Sequence, residues 1–192
     1  MKVLLINGSP HEKGCTYTAL SLIAGELNAA GIETEILNVG TKPVGGCIGC
    51  GGCSADKGCV FGGVVNEAIE KAKTADAFVF GTPVHYASAS GNMTSFMDRL
   101  AYAGGRYLAY KPAAICCSAR RAGTTSTLDQ LVKYPEFFHM PLVSGSYWPM
   151  VHGSNPEQVL QDAEGCAVMQ ELGRNMACLL YTSDAADELD GV

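Results

Sequence analysis

A chain of 192 residues with 47% hydrophobic and 17% charged residues has the size and composition of one globular domain around a single core, which excludes a disordered chain. Nineteen acidic against thirteen basic side chains leave a net charge of −6, so nucleic acid is not the expected partner, because phosphate binding needs a basic face. No apolar run reaches transmembrane length, and the opening MKVLLINGSP turns too early for a signal peptide, so the expectation is a cytoplasmic protein without a membrane contact.

In chain order, KVLLIN (2–7) is a continuous apolar run ending at a turn, the pattern of a buried parallel strand. TYTALSLIAGELNAAG follows with Leu20, Ile23, Ala24 and Leu27 at helical spacing and Gly31 at its end. ETEILNV (33–39) reads as the second strand, and a cysteine-rich loop leads to a helix at about 63–74. DAFVFGTP (76–83) is the third strand, with Gly81 and Pro83 marking its exit turn, and a helix follows at about 91–103. AAICCS (113–118) predicts the fourth strand, 124–134 a helix, MPLVSGSYW (140–148) the fifth strand and 155–177 the closing helix. Strands alternating with helices predict an α/β doubly wound, three-layer parallel sheet, flavodoxin-like in the order 2-1-3-4-5. Ligands then sit beyond the carboxyl ends of the strands, near the switch between strands one and three.

Three loops fall at those ends. NGSPHEKGCTYT, after strand one, offers amides, hydroxyls and a helix N-terminus to a phosphate. It matches neither the P-loop spacing nor the dinucleotide fingerprint. A monophosphate held by Ser9, Thr16 and Thr18 suits it, unless Ser9 and Thr16 only cap the helix. GTPVHYASASGNMTSFMDR, after strand three, sets His85 and Tyr86 at the same rim, where they would flank a flat ring or simply cover the sheet edge. SARRAGTTSTL, after strand four, offers Ser118, Gly123, Thr124 and Thr125, with Arg120 and Arg121 either meeting an anionic or carbonyl group or standing in solvent.

These three loops, in this order, resemble the NADPH-dependent FMN reductase-like flavoproteins of flavodoxin fold, over residues 1 to about 177. The resemblance implies a flavin-dependent oxidoreductase with FMN, the phosphate held by Ser9, Gly14, Cys15, Thr16 and Tyr17. It places the ring against Pro83, Val84, His85 and Tyr86 and the loop of Ser118, Arg121, Gly123 and Thr124. Cys15 stands where such relatives commonly carry Asn. No protein side chain is required as a catalytic group, the chemistry being the flavin's. The family resemblance also implies a homodimer or homotetramer, with NAD(P)H, ferredoxin or a small-molecule acceptor as redox partner.

GGCIGCGGCSADKGC (45–59) sets Cys47, Cys50, Cys53 and Cys59 at C-x2-C-x2-C-x5-C among glycines. In a reducing compartment nine cysteines point to metal or redox chemistry before structural disulfides. Three overlapping ligands favour iron–sulfur over zinc, which prefers two separated knuckles. The loop resembles the cluster motif of the iron–sulfur flavoprotein branch, which implies a [4Fe-4S] cluster on these four sulfurs. The alternatives are free thiols or a redox pair in a cluster-free NAD(P)H-dependent FMN or quinone reductase, a flavodoxin-like electron carrier without enzymatic turnover, or a zinc-stabilised module. Cys116, Cys117 and Cys166 are expected as small core residues. The segment CLLYTSDAADE opens a tail, 178–192, expected to be non-native, with residues 1–177 forming the FMN-binding domain.

Overall fold

A computed structural model describes residues 1–53 and 57–189; residues 54–56 of the cysteine loop and 190–192 of the tail lie outside the described residues. The strands are β1 (Lys2–Asn7), β2 (Glu33–Asn38), β3 (Ala77–His85), β4 (Ser88–Ala89), β5 (Ala113–Ala119) and β6 (Met150–His152). The helices are α1 (Cys15–Ala29), α2 (Val64–Thr74), α3 (Gly91–Gly104), α4 (Thr124–Phe137), α5 (Pro156–Val159) and α6 (Ala163–Leu189).

Five strands run parallel in the order β2-β1-β3-β5-β6, with β4 folded back antiparallel on β3. Apart from β4, this is the expected flavodoxin-like order. Strand side chains alternate between faces, and that alternation separates two cores. Leu4, Ile6, Phe78, Phe80, Ile115 and Cys117 pack with α2, α3 and α4, whereas Val3, Leu5, Ala77, Val79, Ala114 and Cys116 pack with α1 and α6. Covered on both faces, β1, β3 and β5 must be apolar almost throughout, and they are. Small residues let layers approach: a Cβ at Gly173 on α6 would stand 2.7 Å from the Ile23 carbonyl oxygen of α1.

Three sequence expectations need correction. The third strand does not end at Pro83. It runs to His85, and a two-residue turn at Tyr86 and Ala87, both at positive φ (50° and 60°), sends the chain back through β4. The fifth strand is not 140–148. Only Leu142 bridges to Ala113 there, the segment between Pro141 and Pro149 loops away, and the ladder resumes where Met150 pairs with Cys117. The closing helix is not continuous from 155. Asn155 caps the single turn of α5 by accepting from the Gln158 amide (2.9 Å). Asp162 then accepts from the Gly165 amide (3.0 Å) as α6 begins. α6 continues through 178–189, with Leu180 in the core and the Tyr181 hydroxyl donating to the Ala30 carbonyl at 2.6 Å.

Candidate functional site: a loop triad and a cysteine pocket

The carboxyl end of β1 is shaped by Asn7, whose amide donates to Asn38 Oδ1 (2.8 Å) while its Oδ1 accepts from the Ser9 amide (3.1 Å). The buried Ser9 hydroxyl in turn accepts from the His11 amide (3.1 Å). The helix start carries no side-chain cap and no acidic residue in its first turn. Neither Ser9 nor Thr16 caps it. Among the described residues the amides of Cys15, Thr16 and Tyr17 donate to no backbone carbonyl, that of Cys15 facing its own sulfur, so the helix start presents N–H groups at a positive dipole end to an anion. That geometry fits the FMN phosphate. The Cys15 thiol turns away toward the Gly153 carbonyl (3.6 Å), and burial pushes it up from the ordinary thiol range.

The three loops interlock. Gly8 donates its amide to the Gly81 carbonyl (2.8 Å), and the Ser90 hydroxyl at the start of α3 donates to the Gly8 carbonyl (2.8 Å). Thr16 and Ser118, both buried, meet hydroxyl to hydroxyl at 2.8 Å. Gly123, at φ +95°, lies so close to the hairpin that a Cβ there would stand 2.7 Å from Ala87 Cα. The Ser126 hydroxyl ties the same loops by donating to the Ala87 carbonyl (2.9 Å). Thr124 is buried, Pro83 and Val84 are half-buried, and His85, Tyr86, Arg120 and Arg121 project from the rim into solvent. Trp148 is an exposed rim residue packed edge-on against Tyr147.

The cysteine loop lies against the far part of α3. Cys47, Cys50, Cys53 and Cys59 all line one cavity of about 140 Å³, closed by Val60, Phe61, Arg99 and Tyr102. Among the described residues no three His, Cys, Asp or Glu side chains stand at metal-ligand spacing. The thiols thus share a cavity rather than a coordination sphere. As a donor set, four thiols with no carboxylate among the described residues that line the cavity fit a soft, sulfur-ligated centre. Asn66 clamps Cys59, accepting from its amide (2.8 Å) and donating to its carbonyl (3.0 Å). Cys116 and Cys117 are fully buried, as expected of core residues, whereas Cys166 is only half-buried and donates to the Val159 carbonyl (3.2 Å).

Besides Asn66, sequence reasoning passed over four further residues that build the site. Gly40 runs against the loop after β1 so closely that a Cβ would lie 2.4 Å from the carbonyl oxygens of Gly8 and Ser9. Asn92 donates to the carbonyls of Gly40 (2.9 Å) and Lys42 (3.0 Å), and accepts from the Val44 amide (3.1 Å), pinning the approach to the cysteine loop. Ser90 and Arg99 complete the set. The spacing of Asn92 and Arg99, two helical turns apart and so on one face of α3, was the available signal.

This architecture defines a flavodoxin-like flavoprotein. The family model described as NADPH-dependent FMN reductase matches residues 1–155, and the chain belongs to that family. It is an FMN-binding, flavin-dependent oxidoreductase. An iron-sulfur flavoprotein of Methanocaldococcus jannaschii is 29% identical over 185 residues, covering 92% of this chain and 96% of the relative. An iron-sulfur flavoprotein of Archaeoglobus fulgidus is 31% identical over 169 residues, covering 86% and 83%. A solved flavodoxin from the domain Archaea superposes with a TM-score of 0.64 at 13% identity, over 94% of this chain and 99% of that one, a likeness of fold. No helix of the described residues is long and apolar enough to cross a membrane.

Proposed function

We propose that this oxidoreductase carries a [4Fe-4S] cluster on Cys47, Cys50, Cys53 and Cys59 beside FMN, and moves electrons between a reduced donor, NAD(P)H or ferredoxin, and an acceptor. The observation that carries this reading is the single cavity lined by all four thiols. The names of the two archaeal relatives support it. Bound FMN accepts two electrons as hydride and releases them singly, and a cluster relays one at a time. The chain's own residues provide position. The amides of Cys15, Thr16 and Tyr17 hold the phosphate, while Ser9 and Gly14 shape the turn that presents them. Pro83, Val84, His85 and Tyr86 line one side of the ring site, and Ser118, Arg121, Gly123 and Thr124 the other. We place the protein in a reducing cytoplasm as a homodimer or homotetramer, because nine free thiols suit that compartment and family members bury flavin sites between subunits.

A second reading, a cluster-free NAD(P)H-dependent FMN or quinone reductase, draws on the absence of metal-ligand spacing among the described residues. Anaerobic reconstitution followed by iron, sulfide and flavin assays separates the two. About four irons per chain, lost on Cys59→Ser, is expected of the cluster. Stoichiometric flavin with no iron leaves the second reading.

A further inference from the structure

Among the described residues Arg99 is the one buried charged side chain, and no carboxylate lies within ion-pairing distance of it. A guanidinium removed from water is costly unless an anion faces it. Its partners here all belong to the cysteine loop. Nε donates to Cys59 Sγ at 3.2 Å, Nη1 to the Gly45 carbonyl at 3.3 Å and Nη2 to the Gly62 carbonyl at 3.0 Å. The guanidinium also sits 5.7 Å from the centre of the Phe61 ring. Gly45 lies just ahead of Cys47 and Gly62 just past Cys59, so one planar group grips both ends of the ligand segment and one of its sulfurs. The two carbonyls and the ring face carry no formal charge to balance the guanidinium. Sulfurs in their anionic, metal-ligating form carry one.

We propose that Arg99 is the positioning residue of the cysteine pocket: it straps the two ends of the loop together and supplies the positive charge that faces the sulfurs when they bind metal. The proposal rests on the cluster reading above and extends it to a residue of α3. Two properties of arginine are needed, the charge and the rigid fork. Lysine keeps the first and cannot span three acceptors. A buried cation beside a cluster favours its more negative, reduced state, so removing it shifts the potential downward.

The test compares wild type, Arg99→Lys and Arg99→Gln, each loaded with FMN and reconstituted without oxygen from ferrous iron and sulfide. Arg99→Gln is expected to bind FMN as wild type does and to retain less iron. Its remaining cluster should show a one-electron reduction equilibrium at least tenfold less favourable, about 59 mV more negative. Arg99→Lys is expected to keep a near-wild-type potential while the segments 45–53 and 57–63 exchange amide hydrogens faster. Wild-type iron and potential in Arg99→Gln overturn the proposal. If Arg99→Gln does not fold, Arg99→Lys decides, and loop exchange as slow as wild type overturns the strap. A wild type that takes up no iron sinks the cluster reading separately. Exchange in the apo-proteins then decides the strap, and an unchanged loop in Arg99→Gln overturns it.

Discussion

The hydroxyls of Thr16 and Ser118 stand 2.8 Å apart in the interior although 102 residues separate them in the chain. This bond joins the first turn of α1 to the end of β5, and therefore the proposed phosphate side of the flavin site to its proposed ring side. Thr16→Val leaves the Ser118 hydroxyl buried without that partner, at a cost of about 1–3 kcal/mol. Urea denaturation should show that loss, and adding Ser118→Ala should cost less than the sum of the two single changes. Strict additivity would mean that the two hydroxyls do not depend on each other.

Gly40→Ala should weaken FMN binding at least about tenfold, equivalent to ~1.4 kcal/mol, because the new methyl collides with the backbone carbonyls of Gly8 and Ser9. Flavin fluorescence titration reads this directly. An unchanged dissociation constant would show that the loop after β1 can move aside freely.

Burial pushes the Cys117 thiol up to about 12 and Cys116 further in the same direction. Since the thiolate is the nucleophile, iodoacetamide should leave both unmodified in the native apo-protein while the exposed Cys47 and Cys50 react. Peptide mass spectrometry before and after urea checks this. Native-state labelling of Cys116 or Cys117 would contradict their place in the core.

Glu35 lies between Lys2 (2.8 Å) and Lys71 (2.5 Å) at the edge of the sheet, and these two ammonium groups hold its carboxyl below the ordinary range. Its folded pKa lies below its unfolded one, so its contribution is complete above the unfolded carboxylate range and is lost as pH falls through the folded value. The pair is partly exposed, which limits that contribution to about 1 kcal/mol or less. Urea midpoints should therefore fall less steeply for Glu35→Gln than for wild type between about pH 6 and about pH 3. Parallel curves would show that the ion pairs contribute nothing.

We propose that residues 1–177 carry the FMN-binding fold and that 178–192 are dispensable to it. A chain ending at Ala177 should bind FMN with wild-type stoichiometry. It should lose about 2 kcal/mol of stability, because Leu180 is buried against the α1 side of the core. Loss of FMN binding would make the last turns of α6 part of the domain.

The central strands were legible because β1, β3 and β5 are sealed on both faces, and burial alone dictates their apolar runs. The hairpin after Pro83 was not. Its turn is made by Tyr86 and Ala87, residues without the Asn-Gly signature that usually announces positive φ. The last strand was misplaced because Met140–Trp148 is apolar enough to pair, while the ladder contacts that decide register belong to β5. The cysteine loop could be read from its spacing, but not the side chains that hold it. Asn66, Asn92 and Arg99 act through carbonyls and sulfurs of distant segments, and no local pattern records such contacts.

The seating of Gly173 against Ile23 has a consequence for how the protein is made. About 150 residues must be synthesised after the middle of α1 before its partner helix exists, roughly 8–30 s at ordinary ribosomal speeds. During that interval Leu20, Ile23 and Leu27 have no α6 to cover them. The turn proposed to hold the phosphate is thus translated well before its helix is clamped. The nascent chain therefore leaves that apolar helix face open to chaperones until α6 has emerged.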